Sequence, residues 1–159
     1  MNIVLRRCGF WAACFFAVYA VAGAALAGEF KVKAQLAWGT DDMKPGDSSL
    51  RELDPKIREK FRHLRWKNYF VVKAETVSAP QKEAKKINLS DKCVIDVRDK
   101  GDGHVEVRIY SVKPGVEPTL VKTDAVAIQK LKEGHVFAFA GDTKEKWDDA
   151  WLVIVTAGE

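Results

Sequence analysis

CVIDVRDKGDGHVEVRIYSV, residues 93–112, holds two runs of alternating side chains around five residues of turn composition. Cys93, Ile95 and Val97 share one side of the first run. Val105, Val107 and Ile109 share one side of the second, opposite Glu106, Arg108 and Tyr110. A period of two sends successive side chains to opposite faces of an extended chain, so each run predicts a strand with one buried and one wetted face. Between them, DKGDG supplies glycines for left-handed backbone and aspartates that cap local N–H groups. The stretch therefore predicts an antiparallel hairpin joining 93–98 to 104–112.

The pattern repeats on both sides. FKVKAQLAW, residues 30–38, sets Phe30, Val32, Ala34, Leu36 and Trp38 against Lys31, Lys33 and Gln35. Further strands are expected at 69–77, 86–89, 120–128, 136–140 and 151–156. The last, WLVIVT, is almost wholly apolar, which suits a strand covered on both faces. KPGD, KPGVEP and AGDTKEKWDD carry turn signals between the runs. Short strands without regular helical alternation predict an all-β, mainly antiparallel fold, a single β-sandwich of immunoglobulin-like or open-barrel type. Resemblance to immunoglobulin-like sandwiches is a matter of architecture and implies no activity.

One helix is expected near residues 55–65. Asp54 offers an N-cap and Pro55 suits the first turn, where its missing N–H costs nothing. Ile57, Phe61 and Leu64 then form one apolar stripe. The helix is expected to cross an open end or edge of the sandwich. It leads into FRHLRWKNYF, residues 61–70, whose aromatics are assigned to the core. Arg58, Arg62 and Arg65 remain as a basic ridge in water.

The chain opens with a charged segment holding Arg6 and Arg7, an apolar run, and the triplet Ala25-Leu26-Ala27. That order describes a secretory signal peptide over residues 1–27, cut after Ala27, ahead of a single domain over 28–159. The alternative is an uncleaved anchor, since the apolar run is nearly long enough to span a bilayer. Over the whole chain 26 Lys and Arg face 22 Asp and Glu. The leader takes two arginines and no acid, which leaves residues 28–159 near +2. So balanced a domain lacks the basic field of a nucleic-acid binder, and export argues the same way. Cys93 alone follows the leader, so no disulfide forms within the domain.

Catalytic signatures are missing from the sequence. His63, His104 and His135 have no metal-ligand spacing, and there is no G-x-S-x-G elbow. Cys93, in phase with Ile95, is expected to be a buried thiol. The acidic stretches 40–47, 99–103 and 141–149 are compatible with Ca²⁺ ligation, yet none has EF-hand spacing, and aspartate and glycine also form turns. No catalytic residue, metal or cofactor is assigned.

Aromatic and basic surfaces are left. Trp38, in phase with Leu36, goes to the core; Trp147, in KEKWDDAW, is expected at the surface. The candidate binding residues are Trp147, Tyr110, Arg58, Arg62 and Arg65. They lead to the expectation of an exported, non-enzymatic binding protein, periplasmic or secreted, whose partner is another protein of the bacterial envelope or extracellular space. A free sheet edge offers a second mode of contact. One alternative is a carbohydrate- or small-ligand-binding module that uses exposed aromatics. Another is a small secreted hydrolase assembled from separated loops around His104 and His135. Membrane contact is expected only through the leader or a weak electrostatic hold by the basic ridge.

Overall fold

The computed structural model describes residues 30–42, 49–141 and 149–159. The expected leader, Trp147 and most of the turns at 40–47 and 141–149 lie outside the described residues. The elements are β1 (Lys31–Thr40), β2 (Arg51–Glu52), α1 (Pro55–Lys60), β3 (Asn68–Ser78), β4 (Lys85–Asn88), β5 (Cys93–Asp99), β6 (His104–Lys113), β7 (Val116–Ala127), α2 (Ile128–Lys132), β8 (Phe137–Gly141) and β9 (Ala150–Ala157). They build two antiparallel sheets, ordered β2-β3-β1-β9-β8 and β4-β5-β6-β7. The fold is all-β and sandwich-like.

The core between the sheets follows the alternation. Val32, Ala34 and Leu36 of β1 and Val153 and Val155 of β9 meet Ile95 and Val97 of β5 and Val105, Val107 and Ile109 of β6. On the wet side of the smaller sheet, Glu106 takes Arg98 at 3.2 Å and Arg108 at 2.8 Å. The 93–112 hairpin forms in the expected register, with Ile95 opposite Ile109 and Val97 opposite Val107. Its tip puts Gly101 and Gly103 at φ 76° and 83°, where a Cβ would be strained. Asp99 Oδ1 accepts the Gly101 N–H at 2.7 Å and Asp102 Oδ1 accepts the His104 N–H at 3.1 Å. The carboxylates of this acidic turn are thus engaged with its own backbone.

The helix differs from expectation in length and place. It ends at Lys60, and 61–65 continue as tight turns in which Leu64 N–H donates to the Phe61 carbonyl at 2.8 Å. Asp54 caps it, accepting the Lys56 N–H at 2.8 Å. It covers the outer face of the larger sheet rather than an end or edge. Phe61 and Leu53 bury Ala37 of β1, Tyr69 of β3 and Leu152 and Ile154 of β9, with Ile57, Leu64 and Trp66 packed around them. The reason is physical: the outward side chains of β1 and β9 at this point are apolar, and only a covering layer removes them from water. Gly39 permits the close approach, since a Cβ there would lie 3.1 Å from Tyr69 Cε1. Within WLVIVT, Leu152 to Val155 are all apolar because both faces of the strand are covered there.

Two further elements were not expected from sequence. β2 is a two-residue strand at one edge, and α2 turns the chain from β7 to β8. Ile128, expected to end a strand, instead opens α2. Among the described residues no helix is long and apolar enough to cross a membrane.

Candidate functional site

Among the described residues the ladders shift register at three places, one of them near the β6–β7 turn between Ser111 and Lys113, and the other two adjoin the same cavity. In β3, Val71 pairs with Ala37 and Lys73 with Leu36, so Val72 is an extra residue. In β7, Leu120 pairs with Tyr110 and Lys122 with Ile109, so Val121 is extra. Each is a β-bulge, which bends its strand, sharpens the local twist and re-aims a side chain. The bulge in β3 also switches phase, so that Tyr69 and Val71 pack under the helix layer while Val77 faces the other sheet.

Between the sheets at this end lies a cleft of about 860 Å³. Leu36, Ile109 and Val153 form its floor, and Phe139, Trp151 and the two bulge valines its walls. Lys92, Lys122, Tyr110 and Ser111 contribute polar atoms, and the Cys93 thiol lies among the lining groups. Burial pushes the Cys93 thiol pKa up, so it is held neutral. Of the five large apolar side chains exposed among the described residues, Val72, Val121 and Trp151, at 39, 64 and 41 %, line this cleft, while Val116 and Leu120 lie elsewhere on β7.

Trp151 is the hinge between core and cleft. It is in phase with Val153, so it faces the smaller sheet, and it pairs across the ladder with Trp38. The two indoles stack at 6.3 Å and 20°, and Phe70 extends the row 6.2 Å beyond Trp38. Trp38 was expected in the core; it points inward as its phase requires but is half-buried, because the facing sheet covers this end incompletely.

The residues chosen from sequence are dispersed. Tyr110 borders the cleft. Arg58 and Arg62 instead line a smaller hollow of about 340 Å³ beyond the other face of the larger sheet, with Trp66, Lys67 and Tyr69. There Arg58 Nη2 donates to the Lys67 carbonyl at 2.7 Å, and the Arg65 guanidinium lies 5.2 Å from the Trp66 ring centroid. Two of the three ridge cations thus brace the loop that follows α1. Trp147 lies outside the described residues.

His104 contacts Asp102 at 3.2 Å in the hairpin tip, at the far end of β6 from the cleft, and His135 stands 4.0 Å from Glu133. Neither lines the cleft. The edge strand β7 is poorly suited to adding a partner strand: Pro118 has no N–H to give, Val121 is bulged, and Asp124 Oδ1 accepts the Ala125 N–H at 2.9 Å.

Sequence reasoning passed over Val72, Val121, Phe139 and Trp151. The signal was present in the doublets Val71-Val72 and Leu120-Val121, two apolar neighbours inside alternating runs. Such a doublet marks either a buried strand or a bulge, and only pairing decides which. No protein-family model matches the chain, and no curated protein or solved structure matches it either. The site is therefore read from its geometry.

Proposed function

We propose that this chain is an exported, non-enzymatic binding protein and that the cleft between its sheets holds a small, largely apolar molecule. One observation carries the reading: two bulges, one per sheet, line an open cavity of about 860 Å³ with apolar side chains and a few polar groups. Small-molecule sites are typically about 300–1,000 Å³, mainly apolar, with a small number of placed polar groups. Ordinary sandwich ends are closed by packing, and three large apolar side chains left in water are a cost unless something covers them. Tyr110, singled out from sequence as an exposed aromatic, borders this cleft. An immunoglobulin-like or open-barrel scaffold accommodates it, and the leader would deliver it to the periplasm or the exterior.

Titration with the neutral apolar dye N-phenyl-1-naphthylamine tests this. Saturable one-to-one binding with a blue-shifted emission is expected, lost in Val121→Glu, which puts a charge at an exposed wall position. Non-saturable dye binding, or binding unchanged in that variant, would dismiss the cleft as the site. Export is checked separately: mass spectrometry of the envelope or culture fraction should find an N-terminus at Gly28.

A further inference from the structure

From the charges at its mouth, and resting on the cleft reading above, we infer that the ligand is a single-chain amphiphile with an anionic head, a carboxylate or a phosphate. Lys122 carries the argument. It sits opposite Ile109, in the register whose neighbours Val105, Val107 and Ile109 face the core, so a charged side chain occupies a core-facing position. An inward charge is tolerated there because the cleft is open. Lys92, on the turn between β4 and β5, lines the same cavity. Neither ammonium makes an ion pair among the described residues, while Asp91 is the one carboxylate among the lining residues. Among the described lining residues the mouth therefore carries two cations against one acid, above a floor of Leu36, Ile109 and Val153; Asp124, opposite Val107 in the same inward register, is not among the lining residues.

This arrangement separates the two halves of an amphiphile. An alkyl chain replaces water over the floor, Phe139 and the bulge valines, which is favourable in proportion to the apolar area covered. An anionic head stays at the rim, where two ammonium groups stand beside low-dielectric walls that strengthen the attraction. A cation at that end would meet like charge, and a neutral head would leave both lysines to water. The cavity volume, at about 860 Å³, lies within the range that takes one small molecule, which fits one chain rather than two. Inward charges on an edge strand also deter strand addition, and the experiment separates that role from ligand selection.

The test is competition against bound N-phenyl-1-naphthylamine by four twelve-carbon probes: laurate, dodecyl phosphate, methyl laurate and dodecyltrimethylammonium, all below their aggregation concentrations. The two anions are expected to displace the dye at roughly tenfold lower concentration than methyl laurate, about 1.4 kcal/mol, with the cation weakest. Laurate ahead of dodecyl phosphate identifies a carboxylate head, the reverse a phosphate. In Lys92→Gln/Lys122→Gln the preference should vanish while dye binding persists; both positions are exposed, so folding is not at stake. If the dye binds but all four probes compete equally, the anionic head is refuted and the cleft reading survives; if the double variant keeps the preference, the placing of that head at Lys92 and Lys122 is overturned. Absence of dye binding overturns both.

Discussion

The β1–β9 pair has two apolar faces, and the protein treats them differently. Outward, Ala37, Tyr69, Leu152 and Ile154 lie beneath Leu53 and Phe61, sealed by a layer the chain itself supplies. Inward, the same strands begin in a closed core at Val32 and Val155 and end at Trp38 and Trp151, where the facing sheet leaves them partly open. Leu152 and Trp151 are adjacent in sequence, yet one is 1 % exposed and the other 41 %. Apolar patterning thus marks what water disfavours, without saying whether the cover comes from this chain or from something else.

The largest effect should come from breaking the sealed face. Leu152→Ala removes a fully buried side chain and should cost about 2–5 kcal/mol in urea unfolding, by lost transfer energy and a residual cavity. Its neighbour should behave otherwise. Trp151→Ala forfeits the stack on Trp38, worth about 1 kcal/mol beyond the area the indole buries, and dye binding should drop sharply, whereas the folded fraction of Leu152→Ala keeps it. Dye affinity unchanged in Trp151→Ala would erase the contrast.

Deleting Val121 sharpens the comparison. Leu120 can stay opposite Tyr110 and Lys122 opposite Ile109, so the ladder becomes regular at this point and the bend there is lost. Dye affinity should fall about tenfold, or about 1.4 kcal/mol, with unfolding stability little changed; intact affinity would mean the bulge does not shape the cleft.

Smaller still is the effect expected at Tyr69, on the sealed side. Its Oη is buried without a hydrogen-bond partner among the described residues, and burial raises its pKa, with Arg58 opposing and Asp41 adding to that shift. Tyr69→Phe deletes an unpaired polar atom and should be neutral or stabilising by up to about 1 kcal/mol. A clear loss in thermal melting would reveal a partner for that hydroxyl.

The least effect concerns acidity in the open cleft. The Cys93 thiol has a raised folded pKa, so the stability it contributes is whole below the ordinary thiol value of about 8.5 and is lost as pH climbs through that value toward the folded one. Unfolding stability should decline slightly over that alkaline window, and Cys93→Ala should remove the decline. Iodoacetamide should alkylate Cys93 more slowly than free cysteine at pH 8, and more slowly again with laurate present.

Much of the fold was legible because alternation is a local property. Residues 93–112 gave both strands and the turn, and WLVIVT announced a strand with two covered faces. The helix layer was half legible: Asp54, Pro55 and the Ile57-Phe61-Leu64 stripe were visible, but the surface they cover was not. The candidate site was the least legible. Tyr110 was singled out for the wetted face of its strand, and Arg58 and Arg62 proved to belong to a different hollow.

From its own order of residues this chain determined strand positions, the hairpin tip and the need for two apolar layers, since side-chain period and turn chemistry act between near neighbours. Only tertiary structure decided that the helix lies on the outer sheet face and that Val72 and Val121 are bulges. It alone gathered Trp151, Phe139 and Lys122 around one opening. Those outcomes depend on pairing register between distant strands, where one inserted residue turns the following side chains to the other face, and no local pattern holds that count.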